Sequence, residues 1–345
     1  ARNNLRRLRR QLVGREAELE TISHDIGPGR VVSIVGAGGA GKSALALTLA
    51  TQEKDRFSGG VWFCELAPVQ ASQVESAVLG AIDQSAGAGP VNAGMIVERF
   101  DNAPALLILD NCEHVIEAAA GLAEDLIDLA PNLTILTTSR EALELPNEKI
   151  IRLGGLDYSK DESVAVELFM QCAKQITDVE QTAQTHAIIR EITARLEGLP
   201  LAIELAAPRL ASSTPAELLD ALDDQLTVLA TRRKRDDVRH SAMDVAIAWS
   251  YDLLDEEEKT ALKNLSIFSG GFTAQAAEAI CGTAEARRIL HNLVGQSMVT
   301  FLPGTPTSRF RLLEPIRQYC SRQLDADQHD PLSERHALWF AERVT

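Results

Sequence analysis

One octapeptide constrains this 345-residue chain more than any other feature. Gly36-Ala37-Gly38-Gly39-Ala40-Gly41-Lys42-Ser43 fits the pattern GxxxxGK[ST], directly after an apolar run, Val31–Val35, and at the start of a helical one, Ser43–Ala50. Glycines at these spacings let the backbone turn tightly, so that successive N–H groups converge. The helix that follows adds the positive end of its dipole. A turn of this kind cradles phosphate oxygens. Lys42 is placed to reach the β- and γ-phosphates of a nucleoside triphosphate, and the Ser43 hydroxyl to ligate Mg²⁺. A glycine-rich turn between strand and helix that binds nothing is the plainer alternative, and the context on both sides argues against it.

The surrounding pattern agrees. Short apolar runs at Val31–Val35, Val61–Leu66, Leu106–Asp110, Leu133–Thr137 and Ile150–Leu153 read as buried strands, with helices predicted at Ser43–Ala50, Gln73–Ile82 and His114–Leu129. Alternation of this kind implies βαβ units, a parallel sheet of about five strands, and ligands at the carboxyl ends of those strands. After Gly154-Gly155 the strand signal stops. Ser163–Ile176, Ala187–Leu196, Leu201–Leu210 and Pro215–Leu222 show apolar residues at helical spacing. The last of these has Thr214 as N-cap, Pro215 at the first helical position and Glu217 placed for a capping box. Four more helices, Ala242–Leu253, Glu256–Leu265, Ala274–Ile280 and Ala284–Val294, precede two β-like runs, Met298–Leu302 and Arg309–Leu312. Helices then follow at Pro315–Leu324 and Leu332–Val344. Helices followed by a hairpin suggest a winged-helix unit. The expected organisation is a basic linker over 1–11, a P-loop nucleotide-binding domain over 12–155, a helical domain over 156–235, a winged-helix domain over 236–330 and the start of a C-terminal helical segment over 331–345.

A phosphate loop needs an acid near its magnesium. Leu106-Leu107-Ile108-Leu109-Asp110 is an apolar strand ending in Asp, so Asp110 is expected to hold Mg²⁺ through water while Ser43 binds it directly. Asn111 follows, where many ATPases carry a second acid, and an amide is a poor base. Glu113 is the nearest carboxylate. It is either the group that activates water or a residue favouring the N-terminus of the next helix. No NKxD-type guanine reader occurs, which favours ATP over GTP.

Composition narrows the partners. A formal net charge of −15 argues against a protein that coats nucleic acid. The region from Asp236 onward carries 11 Lys and Arg against 16 Asp and Glu, unfavourable for grasping DNA. Two basic clusters, Arg2/Arg6/Arg7/Arg9/Arg10 and Arg232/Arg233/Lys234/Arg235, read as solvated linkers. Five scattered cysteines without a CxxC pair suit a reducing compartment and give no zinc site. No apolar run is long enough to span a bilayer and no signal peptide is visible, so the expected location is the cytoplasm, with no membrane partner.

With these motifs in hand, the chain resembles the STAND-class ATPases, the group containing plant NB-ARC disease-resistance proteins, apoptosome ATPases and large bacterial transcriptional regulators. It is most similar to the regulators of the Streptomyces antibiotic regulatory type. The resemblance runs through nearly all of Leu12–Val344. Leu12-Val13-Gly14-Arg15-Glu16 matches the entry motif and implies nucleotide contacts at Val13, near the adenine, and at Arg15. Gly36–Ser43 followed by Ala44-Leu45-Ala46 matches the family phosphate loop, which makes Gly36, Gly38, Gly39, Ala40, Gly41, Lys42, Ser43 and Ala44 the nucleotide-binding set. Leu136-Thr137-Thr138-Ser139-Arg140 is similar to a strand-end sensor, implying that Arg140 reports on the γ-phosphate. Gly198-Leu199-Pro200-Leu201-Ala202 matches the GLPL motif, implying that Pro200 packs near adenine. Trp249-Ser250-Tyr251-Asp252-Leu253-Leu254 and Phe310–Tyr319 resemble the two ends of the family's winged-helix domain.

Two positions depart from the pattern. Asn111 replaces the usual second acid. Leu313 stands where many relatives carry an MHD histidine for the β-phosphate of ADP, with Arg311 the nearby cation. The resemblance therefore implies a regulatory switch that binds Mg-ATP or ADP between domains and hydrolyses slowly. Its effector and sensor domains would lie outside this stretch, and its ATP state would favour self-association. The alternatives are a P-loop enzyme that phosphorylates a small molecule and a winged-helix DNA-binding protein.

Overall fold

The computed structural model describes residues 2–6, 12–83, 90–174, 176–177, 180, 182–232, 241–283, 285–304, 307–324 and 326–344. Contacts divide the chain into two units, Ala1–Gly154 and Gly155–Thr345.

The first unit runs α1 (Glu16–Asp25), β1 (Arg30–Gly36), α2 (Lys42–Glu53), β2 (Gly60–Glu65), α3 (Val74–Ile82), α4 (Ala93–Val97), β3 (Ala105–Asp110), α5 (Ile116–Leu129), β4 (Leu133–Ser139) and β5 (Glu148–Leu153). The strands form one sheet in the order β2-β3-β4-β1-β5, and every pairing is parallel. Central strands are covered on both faces, which is why all of Ala105–Asp110 and Leu133–Ser139 is buried and reads as a continuous run without alternation. On edge strand β5 Lys149, Ile150 and Arg152 are exposed, Glu148 and Ile151 half-buried and Leu153 buried. One face of the sheet packs Leu107, Leu109 and Ile135 against Val78, Phe100, Leu122 and Leu126. Each such side chain contributes about 1.5–3 kcal/mol of transfer free energy.

Strand order positions the site. β4 lies between β1 and β3, so the phosphate loop after β1, Asp110 at the end of β3 and Arg140 after β4 issue from three adjacent parallel strands at their carboxyl ends.

The other edge, β2, is covered by the N-terminus. The Val61 N–H donates to the Arg2 carbonyl at 2.9 Å. The Asn4 side chain then behaves as a backbone surrogate. Its Oδ1 accepts from the Phe63 N–H at 2.7 Å, and its Nδ2 donates to the carbonyls of Phe63 (2.9 Å) and Ala81 (3.0 Å). Arg6 pairs with Glu65 at 3.4 Å. Residues 2–6, expected as part of a solvated basic linker, thus shield an open sheet edge. Arg7, Arg9 and Arg10 lie outside the described residues, as do Arg233, Lys234 and Arg235.

The second unit is built mainly of helices: α6 (Val164–Lys174), α7 (Ala183–Arg195), α8 (Pro200–Ala206), α9 (Pro215–Arg232), α10 (Ser241–Asp252), α11 (Glu256–Leu265), α12 (Ala274–Cys281) and α13 (Ala286–Gly295). An antiparallel pair, β6 (Thr300–Leu302) and β7 (Arg309–Arg311), precedes α14 (Glu314–Arg322) and α15 (Ala326–Val344). The expected cap of α9 is present: the Thr214 N–H donates to Glu217 at 2.7 Å, and the Glu217 N–H to the Thr214 hydroxyl at 3.3 Å. Asp255 and Glu258 form a second capping box at α11. The hairpin is anchored by a ring cluster of Phe268, Phe272, Phe301 and Phe310. β6 starts two residues later than the apolar run, because the N–H groups of Met298 and Val299 turn back to the Leu293 carbonyl at the end of α13. Two helices had no signal in the apolar spacing. α1 is polar, with only Ile22 buried, and α4 is five residues long with an Asn92 cap.

Candidate functional site

The phosphate loop has the backbone its glycines foretell. Gly39 and Gly41 take positive φ, 78° and 96°, which side-chain-bearing residues rarely adopt. Gly36 is required for another reason: a Cβ there would stand 2.2 Å from the Leu153 carbonyl oxygen of β5. Gly41 is the N-cap of α2, no side chain caps that helix, and its first-turn N–H groups face the loop. Ala40 is buried, while Gly38, Ser43 and Ala44 are half-buried.

The Lys42 ammonium is buried and folds back over the loop, donating to the carbonyls of Gly36 (2.9 Å) and Ala37 (3.0 Å). Its pKa lies below the usual lysine value. Burial is the main cause and Arg140 pushes the same way, while Glu113 and Asp110 oppose them. Those influences place Glu113, Arg140 and Asp110 around one amine, so the residues read from the sequence as phosphate, metal, water-activating and sensing groups converge.

Asp110 is almost fully buried, and its Oδ1 accepts a 2.6 Å hydrogen bond from the Thr138 hydroxyl. The same hydroxyl accepts the Asn111 N–H at 3.0 Å. Asn111 occupies the left-handed region at φ 66°, ψ 56°. Asparagine tolerates that region better than most residues, which gives a backbone reason for an amide at this position. The turn brings the chain directly into the short 3₁₀ segment Cys112–His114 that carries Glu113.

Glu113 and Arg140 form an ion pair, Nε to Oε1 at 3.3 Å, with both side chains largely buried. The second Glu113 oxygen, Oε2, is buried without a hydrogen-bond partner. Thr138 went unnoticed in the sequence. A threonine on a buried strand reads as a β-former, and only strand adjacency shows that its hydroxyl reaches Asp110.

Arg15 is another surprise. Expected to bind nucleotide, it is buried at the N-cap of α1. It donates to Glu18 Oε1 (2.7 Å) and to the carbonyls of Gly154 (2.5 Å) and Ala40 (3.4 Å). Val13 precedes it and is half-buried. Pro200 belongs to the second unit, where it opens α8. Arg311 lies in β7, and Leu313 is the N-cap of α14.

No helix among the described residues is long and apolar enough to cross a membrane. Four of the five cysteines are buried and Cys281 is half-buried, and none is in a disulfide.

No protein-family model matches the chain. An uncharacterised protein of Mycobacterium tuberculosis (strain H37Rv) is 33% identical over 330 residues, covering 93% of this chain and 83% of its own length. A protein of the same strain named as an HTH-type transcriptional regulator is 33% identical over 321 residues, 90% of this chain but 36% of its own. The regulatory protein AfsR of Streptomyces griseus is 25% identical over 327 residues, 89% of this chain and 31% of its own. Among solved structures, a Pyrococcus horikoshii STAND protein (Signal Transduction ATPase with Numerous Domains) with a tetratricopeptide repeat sensor superposes with a TM-score of 0.63. It is 17% identical and covers 97% of this chain and 46% of its own. The chain thus spans about a third of the length of the regulators it matches and under half of that structure. With a phosphate loop, a strand-end Asp and a strand-end Arg brought together on one parallel sheet, the chain shares its fold with this STAND structure, and in sequence it is a relative of the mycobacterial proteins and, more distantly, of AfsR.

Proposed function

We propose that this chain is the nucleotide-responsive switch of a larger regulator, binding ATP or ADP with Mg²⁺ and hydrolysing ATP slowly. The observation that carries the reading is the Glu113–Arg140 ion pair beside Lys42 and Asp110. The group proposed to activate water and the group proposed to sense the γ-phosphate hold each other in the resting site. A γ-phosphate arriving at Arg140 competes with Glu113 for the same guanidinium. ADP, which lacks it, leaves the pair in place. Nucleotide identity is thereby converted into a choice of partner for one arginine.

The residues suit magnesium and phosphate. The glycine turn, the α2 N-terminus and Lys42 supply positive potential for phosphate oxygens. The Ser43 hydroxyl and the Asp110 carboxylate supply the oxygen donors that Mg²⁺ prefers. When bound, Mg²⁺ neutralises phosphate charge. Thr138 orients Asp110, and Glu113, with one oxygen unpartnered, is the group available to accept a proton from water. Asn111 offers no base at the adjacent position, which supports slow turnover.

Further parts of the reading follow the family. Val13 and Pro200 are proposed neighbours of the adenine. Residues 236–330, from α10 through α14, are proposed as a winged-helix domain after a helical domain over 156–235, and effector and sensor domains are proposed to lie beyond this stretch. Self-association in the ATP state and a cytoplasmic location belong to the same proposal. Direct DNA contact is not part of it. On α13, Arg287 pairs with Glu278, and Arg288 with Glu257 and Glu285, so the two arginines of that helix sit among carboxylates, a poor setting for phosphate contacts.

The test begins with the nucleotide retained through purification, identified by chromatography after denaturation. Calorimetry with Mg-ATP and Mg-ADP on wild type and Lys42→Ala follows, and then small-angle scattering of the two loaded states. The expected result is a bound adenine nucleotide, an affinity loss of at least about tenfold in the variant, and a larger radius of gyration with ATP. Unchanged affinity in Lys42→Ala would remove the loop from the argument. Identical scattering and identical proteolysis in both states would remove the switch.

A further inference from the structure

We infer that Arg15 is a positioning residue of the phosphate loop, acting on the phosphate end of the ligand through the Ala40 carbonyl and making no contact with the base. The inference rests on the nucleotide-binding reading above.

The loop's softest part is its middle. Ala40 sits between Gly39 and Gly41, both at positive φ, and glycines lose more conformational freedom on ordering than any other residue. Gly41 is tied into α2, its carbonyl accepting the Leu45 N–H at 2.9 Å, whereas at Ala40 the backbone supplies a weaker tie, its N–H to the Ala37 carbonyl at 3.3 Å. Lys42 restrains the beginning of the loop through the carbonyls of Gly36 and Ala37. Arg15 restrains its far side.

The guanidinium is well suited to this. Its Nη2 lies between two carbonyls, Ala40 at 3.4 Å and Gly154 at 2.5 Å, and so ties the loop to the chain just beyond β5. Gly154 follows Leu153, the residue in register with Gly36, so the anchor belongs to the strand against which the loop begins. Nη1 is held by Glu18 one turn into α1 at 2.7 Å, which balances the charge and sets the plane of the fork. A side chain 6% exposed and engaged by a carboxylate and two carbonyls has committed these donors to the protein. What it can do for a ligand is hold the loop's N–H groups in their receiving arrangement before binding, so that ordering is not charged against affinity.

Base contact and loop positioning differ in what they do to a ligand without a base. Competition against a fluorescent nucleotide therefore measures the affinities of Mg-ATP and of inorganic tripolyphosphate for wild type, Arg15→Ala and Arg15→Lys. The expected result is a loss of about tenfold in Arg15→Ala, by the same factor for both ligands. Little should be recovered in Arg15→Lys, whose single ammonium cannot span two carbonyls and a carboxylate. A loss for ATP with tripolyphosphate unaffected would overturn the inference in favour of base contact, and no loss for either would make Arg15 a bystander. Wild type that binds neither ligand would overturn the nucleotide-binding reading itself and the inference with it.

Amide hydrogen exchange on nucleotide-free protein covers the case in which Arg15→Ala fails to fold. Exchange over residues 37–41 should accelerate in Arg15→Lys while β3 stays protected. Unchanged exchange in the loop would also overturn the inference.

Discussion

Replacing Thr138 by Val removes one hydroxyl and keeps the branched shape on a fully buried strand. That hydroxyl makes two bonds at once, donating to Asp110 at 2.6 Å and accepting the Asn111 N–H at 3.0 Å. A hydrogen bond to a charged group is worth about 1.5–3 kcal/mol, and a donor left without an acceptor costs about 1–3 kcal/mol. The two share an atom and do not add fully, so the expected destabilisation is about 2–4 kcal/mol. Against the ~5–15 kcal/mol of a whole domain, this is a large fraction. Urea unfolding of the first unit reads it through Trp62, with Trp249 and Trp339, both in the second unit, changed to Phe. The midpoint should fall with the slope unchanged. Asp110→Ala and the double variant close a thermodynamic cycle, in which the Thr138–Asp110 coupling should be about 1.5–3 kcal/mol. A midpoint shift worth less than ~0.5 kcal/mol, the usual range of substitutions that touch nothing, or zero coupling in the cycle, would refute the assignment of Thr138 as the group that orients Asp110.

Lys42 is held below its usual pKa of 10.5 mainly by burial. The unfolded chain therefore binds the proton more tightly, and stability rises with pH between the folded and unfolded values. Wild type should gain stability relative to Lys42→Met as pH approaches 10.5 from below, and parallel stability curves for the two proteins would contradict this. Gly36→Ala drives a methyl to 2.2 Å from a backbone oxygen that cannot swing aside, so a loss of about 1–3 kcal/mol, with nucleotide binding abolished, is expected in melting and binding experiments. ATP hydrolysis should run well below ~10 per second, and Glu113→Gln should lower it further. Fast turnover, or full activity in that variant, would exclude Glu113 as the water-activating group.

Much of this molecule was legible in one dimension because its strongest signals are local. A phosphate loop is contiguous, and its glycines, lysine and serine are dictated by a single turn and a single helix end. The central strands β1, β3 and β4 were visible as apolar runs, because a parallel sheet buries both faces there and leaves no alternation to confuse with a helix, whereas edge strand β5 showed only its second part, Ile150–Leu153. The cap at Thr214 and Glu217 is likewise settled within four residues.

What the tertiary structure decided are relations between residues far apart in sequence. That Thr138 serves Asp110 follows from β4 lying beside β3, and nothing in the local sequence says which strands become neighbours. That Arg140 meets Glu113 depends on two strand ends being brought side by side. The motif around Arg15 implies a nucleotide contact, and only the fold shows which protein groups the side chain meets. Its partners, Ala40 and Gly154, are 25 and 139 residues away. Residues 2–6 read as a charged tail because Asn4 can act as a strand only where an open sheet edge offers it N–H and C=O groups. In each case the chemistry of the side chain was known from the start, and its partner was chosen by topology.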